Sequence, residues 1–392
     1  MTKTLLAVQG PMQFIAGYIA MSWYQKQSGQ RDDDEAILLM YDFLMPPHLE
    51  KDFADTILQL SAFRRWGKIV YIDSIQMRTI SNARYSRSMA GLKRLIGAST
   101  FDEIYLARDY CGFGSPLIIN CYAEATKITY GDSLGLVGNE QVFNPFDWMA
   151  PFHSVLSLAK QFTRKILLGG PSKFPFDKAV LTTPMDWSGH YLQNIRLHVP
   201  TREHAVETIN TIYTNMPHFR DYCRQLEQYL IGHPGFVFLL SNLSGSSLMS
   251  AKAEIELYTE IIKNTTPAHG VVFIKGHPRN GNYILDEVAS RLKGLYSVVI
   301  IDNEKFSRIP IELWIDLMQA CTIIPIFSTS AINLQYFFGE KAILPLNNSL
   351  IDYYFYPNKA DYVKKANQLI LDCIKMLDRW DGQSILWRGT ND

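Results

Sequence analysis

Short apolar runs alternate along this chain with longer stretches in which apolar and polar positions recur at helical spacing. Thr4–Val8 is the first run, and a helical pattern carries on from it through Tyr24. Ala36–Tyr41 comes after an acidic turn, Asp32-Asp33-Asp34-Glu35, which reads as a solvated loop. Lys68–Ile72 and residues 104–106 and 127–130 read as further short strands. Strands separated by helices predict a parallel, doubly wound sheet. Residues 188–229 are mostly polar and helical in pattern, with no clear strand, and read as a connection between domains.

A second series begins at Gly235. Residues 236–240 predict a strand leading into the loop Ser241-Asn242-Leu243-Ser244-Gly245-Ser246-Ser247, followed by a helix over residues 251–263. Val271-Val272-Phe273-Ile274 then runs into Lys275-Gly276-His277-Pro278-Arg279. Gly permits a sharp turn there and Pro cannot donate to a ladder, so the strand must end at these residues. A helix over 285–292, a strand over 298–301, a helix from Pro310 through Ala320, a strand over 322–327, a helix from the Ser328-Thr329-Ser330 cluster to Phe338 and a strand over 341–344 complete the pattern. The expected architecture is α/β of GT-B type: two Rossmann-like doubly wound domains, residues 1–232 and 233–392, facing a central cleft. The last helix is expected to pack back on the first domain.

Composition narrows the class. With 47% hydrophobic and 19% charged residues the chain is that of a globular protein. The 38 basic residues balance 38 acidic ones, which argues against general nucleic-acid binding. Five cysteines without a CxxC pair argue against a disulfide framework or zinc site and for a reducing compartment. The opening Leu5-Leu6-Ala7-Val8 is broken by Gln9, Gly10 and Pro11, too soon for a signal peptide, and no apolar run is long enough to span a membrane. A cytoplasmic protein is expected, with peripheral contact at the cytoplasmic face of a membrane left open.

The chemistry concentrates at strand ends. His277 sits between Lys275 and Arg279 where a buried strand stops, the edge at which open α/β sheets bind ligands. An imidazole there can give a proton or a hydrogen bond to an anion. Ser328, Thr329 and Ser330 open a helix, where hydroxyls either cap free N–H groups or join the helix dipole in holding an anion. Glu312, in the first turn after Pro310, either complements a helix dipole or accepts from a ribose diol. The loop holding Asn242 and Ser244 can approach a phosphate or sugar closely, or be a plain turn; it lacks GxGxxG and GxxxxGK[ST]. In the first half, Asp132 follows a strand in Gly131-Asp132-Ser133 and is either a turn former or a general base, with Asp109 and Glu124 as rival carboxylates.

Taken together, these motifs resemble bacterial His-Pro-motif sialyltransferases, most closely the polysialyltransferase-like family. Lys275-Gly276-His277-Pro278 is similar to the family's His-Pro motif, Ser328-Thr329-Ser330 to its hydroxyl cluster and Ile311-Glu312 to its ribose-binding position. Gly131-Asp132-Ser133 falls where the family carries two acidic residues and a Gly, so Asp132 serves in a shifted register, another carboxylate serves, or activity is lost. The resemblance implies an inverting, metal-independent transferase on a GT-B fold, with an acceptor-side first domain and a CMP-sugar-binding second domain. It further implies CMP-sialic acid or a related CMP-nonulosonic acid or CMP-Kdo as donor, with no further cofactor. The acceptor it implies is an oligosaccharide or glycolipid, with capsule or lipopolysaccharide biosynthesis as the expected setting. His277 would assist the leaving phosphate, Asp132 would act as base, and Lys275, Gly276, Pro278, Glu312, Ser328, Thr329, Ser330, Asn242 and Ser244 would hold the donor. Rival readings are an NDP-sugar transferase or epimerase on the same fold, and a non-catalytic glycan-binding descendant.

Overall fold

A computed structural model describes residues 2–29, 35–41, 43, 47–83, 85–107, 114–131, 176–184, 196–277, 282–339 and 342–387. The chain divides into two compact units, one of Met1–Glu50, Arg65–His204 and Gly382–Asp392, the other of Lys51–Arg64 and Ala205–Asp381. The helices Arg202–Thr214 and Pro217–Glu227 lie in the stretch expected as a connection, and most of that stretch groups with the second unit. The last helix, Pro357–Leu377, also groups with the second unit and packs on helices Ser330–Phe338 and Asn348–Tyr354.

The first unit holds strands β1 (Thr4–Val8), β2 (Ala36–Tyr41), β3 (Lys68–Ile72), β4 (Glu103–Leu106), β5 (Thr126–Gly131), β6 (Lys178–Leu181) and β7 (Arg196–Val199), with β12 (Ile385–Trp387) at its end. They form one sheet in the order β12-β7-β6-β5-β4-β1-β2-β3, parallel except where β12 pairs antiparallel with β7. β1, β2 and β4 are buried along their whole length, and apart from Thr4 and Glu103 at their starts they are apolar throughout. The strand β7 lies inside residues expected to contain none, and β6 and β12 are short apolar runs absent from the expected series.

Helix Pro11–Gln27 covers one face of this sheet, and Gly17 lets it come close. A Cβ at Gly17 would stand 2.7 Å from the Tyr130 ring and 2.8 Å from Leu6. Tyr130 cannot swing away freely, because it is fully buried and its hydroxyl donates to the Ala7 carbonyl at 2.8 Å. Gly17→Ala gains helix propensity of up to about 1 kcal/mol but forces an overpacking cost of about 1–3 kcal/mol. A net loss of stability is therefore expected in a denaturant titration; a gain would show that the interface yields.

The second unit holds β8 (Gly235–Leu239), β9 (Val271–Lys275), β10 (Ser297–Ile300) and β11 (Cys321–Pro325) in the parallel order β10-β9-β8-β11. Three expectations change here. The helix foreseen from Pro310 is a 3-10 turn, Ile311–Leu313, broken at Trp314 before a short helix Ile315–Ala320. The strand over 322–327 ends at Pro325, since Phe327 takes a positive φ of 52°. Residues 342–344 are no strand, although the Ile343 N–H donates to the Ile323 carbonyl at 3.0 Å. Pro325 is tolerated because β11 is an edge strand. Among the described residues no helix is long and apolar enough to cross a membrane.

Candidate donor-binding edge of the second unit

Strand order reverses between β8 and β11, and sheets of this kind leave a crevice for ligands outside the carboxyl ends at such a point. Register aligns those ends: Leu239 pairs with Lys275 in β9 and with Pro325 in β11. The loops after β8, β9 and β11 therefore leave one edge side by side. The Ser241 hydroxyl fastens two of them, lying 2.7 Å from each of the carbonyls of Ile326 and Phe327.

The loop after β8 is ordered from within. Glu254, 0% exposed on helix Ala251–Thr265, accepts the N–H of Leu243 at 3.1 Å and of Ser244 at 2.9 Å. The Tyr258 hydroxyl lies 2.8 Å from Glu254 Oε1 and 2.6 Å from the Ser241 carbonyl. Burial first, then the neighbouring Glu254 carboxylate, raise the Tyr258 phenol well above its ordinary value, so it stays a neutral donor. The Leu243 and Ser244 amides are thus engaged, and what the loop can offer a ligand is the side chains of Asn242 and Ser244. The Asn242 amide lies over Gly245, where an added Cβ would stand 2.1 Å from Asn242 Oδ1, so a side chain at that position would turn the amide aside.

Beyond β9, Gly276 lies against Leu285, whose Cδ1 would be 2.9 Å from an added Cβ, and His277 follows half-buried. Pro278 and Arg279 lie outside the described residues. Lys275 points inward, where its sequence position suggested an outward cation for an anionic ligand. It is 7% exposed, donates to the Ser307 carbonyl and lies 5.7 Å from the Trp314 ring centre. Burial lowers its pKa to about 8, with the Glu312 carboxylate pulling it back up. Glu312 is itself 2% exposed and accepts from Asn333 Nδ2 at 2.8 Å. Trp314 closes this corner, its Nε1 donating to the Ile309 carbonyl at 3.1 Å and its ring edge-on to Phe219.

At the end of β11 the chain kinks at Phe327, and Ser328 Oγ accepts the Ser330 N–H at 3.3 Å. This local bond meets the first N–H of the helix, while Thr329, at the N-cap position, makes no side-chain cap bond. Thr329 is exposed, Ser330 is half-buried, and helix Ser330–Phe338 starts there. In the first unit, Gly131 ends β5 with a φ of 141°, while Asp132, Ser133 and Asp109 lie outside the described residues. Glu124 is exposed ahead of β5, at the amino end of that strand rather than the ligand edge.

The structure brings together Lys275 and Glu312, and the loops bearing Asn242, Ser244 and Ser328. Sequence reasoning passed over Glu254, Ser241 and Asn333. Two of these left a signal: Glu254 stands among Ile255, Leu257, Tyr258, Ile261 and Ile262 in the buried stripe of its helix, and Asn333 among Ala331, Ile332 and Leu334.

Residues 154–346 match the family model described as alpha-2,8-polysialyltransferase (POLYST), a span that contains every one of these second-unit residues. No curated protein sequence matches the chain. Among solved structures, a candidate UDP-N-acetylglucosamine 2-epimerase from Listeria monocytogenes aligns with a TM-score of 0.51 at 11% identity, covering 100% of this chain and 92% of that one. The Photobacterium sp. JT-ISH-224 2,6-sialyltransferase, in complex with CMP and lactose, aligns at 0.43 and 11%, covering 96% and 77%. The UDP-GlcNAc 2-epimerase of Neisseria meningitidis aligns at 0.47 and 10%, covering 95% and 93%. The Listeria likeness is one of fold, and the fold is of GT-B type.

Proposed function

We propose that this chain, a glycosyltransferase that resembles the polysialyltransferase-like family over residues 154–346, moves sialic acid or a related nonulosonic acid or Kdo from a CMP donor to a glycan. The observation that carries the reading is the fastening of the β8 and β11 loops by Ser241 at the strand-order reversal, with His277 leaving the next strand.

In the reaction the bond from the sugar's anomeric carbon to the phosphate oxygen breaks, and a bond to the acceptor oxygen forms from the opposite face. The phosphate leaves with the electron pair. His277, with the hydroxyls of Ser328 and Ser330 and the start of helix Ser330–Phe338, stabilises that charge. The acceptor's proton passes to a carboxylate, for which Asp132 is the residue proposed. Glu312 takes the ribose, and Asn242 and Ser244 border the donor from the β8 loop. Acceptor identity lies with the first unit, and we place the enzyme in the cytoplasm with peripheral contact at the membrane. The inner-membrane glycolipids of a capsule or lipopolysaccharide are the proposed acceptors.

Calorimetry with CMP, UDP and GDP, followed by nucleotide release from a panel of CMP-sugars with oligosaccharide acceptors, tests the reading. CMP is expected to bind tightest; preference for a nucleoside diphosphate would instead make the chain an NDP-sugar enzyme. A monophosphate leaving group held by hydrogen-bond donors and a helix start needs no divalent ion, so turnover in EDTA is expected to stay within about twofold of that in Mg²⁺. Abolition by EDTA with recovery on adding metal would remove the metal-independent mechanism.

A further inference from the structure

Helix Ser330–Phe338 buries Ala331, Ile332, Leu334, Tyr336 and Phe337, and one polar side chain, Asn333, stands among them at 2% exposure. Its Nδ2 donates to Glu312 Oε1 at 2.8 Å, while its Oδ1 is buried with no hydrogen-bond partner. An unmade buried acceptor costs roughly 1–3 kcal/mol. An apolar side chain of similar volume would avoid that cost, so the value of the amide lies in the one bond it does make. Sites where local rules are broken without a structural return are where function is expected.

The bond reaches a carboxylate whose charge already has a partner. Lys275 lies close enough to interact electrostatically with Glu312, but its ammonium is committed to the Ser307 carbonyl and the Trp314 ring. An ammonium is a compact point charge and sets no orientation. A planar amide does, because its two N–H directions are fixed. Charge and aim are thus supplied to Glu312 by different residues, one from the end of β9 and one from the helix after β11.

We propose that Asn333 is a positioning residue for donor binding: it aims the Glu312 carboxylate at the ribose diol of the nucleotide and touches no ligand itself. This rests on the CMP-donor reading above. It predicts that Asn333 matters only for nucleotides that carry the diol.

The test titrates the full chain, as wild type, Asn333→Leu and Asn333→Ser, with CMP and with 2′,3′-dideoxy-CMP by calorimetry, with folding followed by thermal melting. Wild type is expected to favour CMP. Asn333→Leu is expected to lose about tenfold in CMP affinity, the worth of one hydrogen bond to a charged group, and nothing in dideoxy-CMP affinity. Should the leucine variant fail to fold, Asn333→Ser, too short to reach Glu312 in the same geometry, carries the same comparison. Equal loss on both nucleotides would reduce Asn333 to a structural role and overturn the proposal, as would an unchanged CMP affinity. A wild type that binds both nucleotides equally overturns the ribose role of Glu312 and the proposal with it. A wild type that binds neither overturns the donor reading itself.

Discussion

Replacing His277 with alanine is expected to cut turnover of the CMP-sugar by roughly 10²–10⁴-fold, the usual worth of a positioned acid–base group, while CMP affinity changes by no more than about threefold. The asymmetry follows from when charge appears. In the proposed donor complex the phosphate carries one negative charge, which the hydroxyls and the helix start would already meet. As the glycosidic bond breaks, the phosphate gains charge, and only then does an imidazole offering a proton become worth several kcal/mol. The proposed role of His277 in that late interaction is compatible with its position: it is half-buried, next after a glycine, just past the end of a strand buried throughout its length. Steady-state kinetics with the wild type's own donor, beside calorimetry with CMP, separates the two quantities. An alanine variant that keeps wild-type turnover would remove His277 from the leaving-group role. One that loses CMP binding and turnover in equal proportion would make it a binding residue with no share in the chemical step.

The parts of the fold legible in the sequence are those in which burial alone decides the pattern. β1, β2 and β9 are buried at every position, so their apolar runs could be read without knowing any neighbour. β7 is different: its exposed Arg196 and half-buried His198 alternate with buried Leu197 and Val199 over only four residues, and part of its stability comes from β12, nearly two hundred residues on. The break at Trp314 is likewise non-local. Helical spacing runs through it, but the indole is held by the Ile309 carbonyl and the Phe219 ring, and Trp314 leaves helical geometry at a ψ of 47°. The site divides along the same line. That the loops after β8, β9 and β11 share an edge follows from strand ends and could be inferred. That Lys275 turns inward to Ser307, and that Glu312 is held by Asn333, depends on segments thirty to sixty residues from β9 packing onto it, which no local pattern encodes.

Glu254 shows how a side chain without a motif governs one that has been singled out. Its carboxylate holds the Leu243 and Ser244 amides and contacts the Tyr258 hydroxyl, all inside a helix–sheet interface. Glu254→Ala strips one buried amide, that of Leu243, and one half-buried amide, that of Ser244, of their acceptor and opens a small cavity beneath the loop. Each orphaned donor costs about 1–3 kcal/mol, so the variant is expected to lose about 3 kcal/mol of stability, a fall of roughly 6–12 °C in Tm for a unit of this size. A functional loss should accompany it. With the amides unpaired, the β8 loop no longer has one conformation, and Asn242 and Ser244 are no longer presented from a fixed frame. CMP affinity is therefore expected to fall about tenfold even well below the melting temperature, where the variant is fully folded. Thermal scanning and calorimetry on the same preparation read both effects. An unchanged Tm would show that water replaces the carboxylate at no cost. A lowered Tm with unchanged CMP affinity would separate the β8 loop from the donor site and leave Glu312 and the Ser328 cluster as the proposed nucleotide-binding groups.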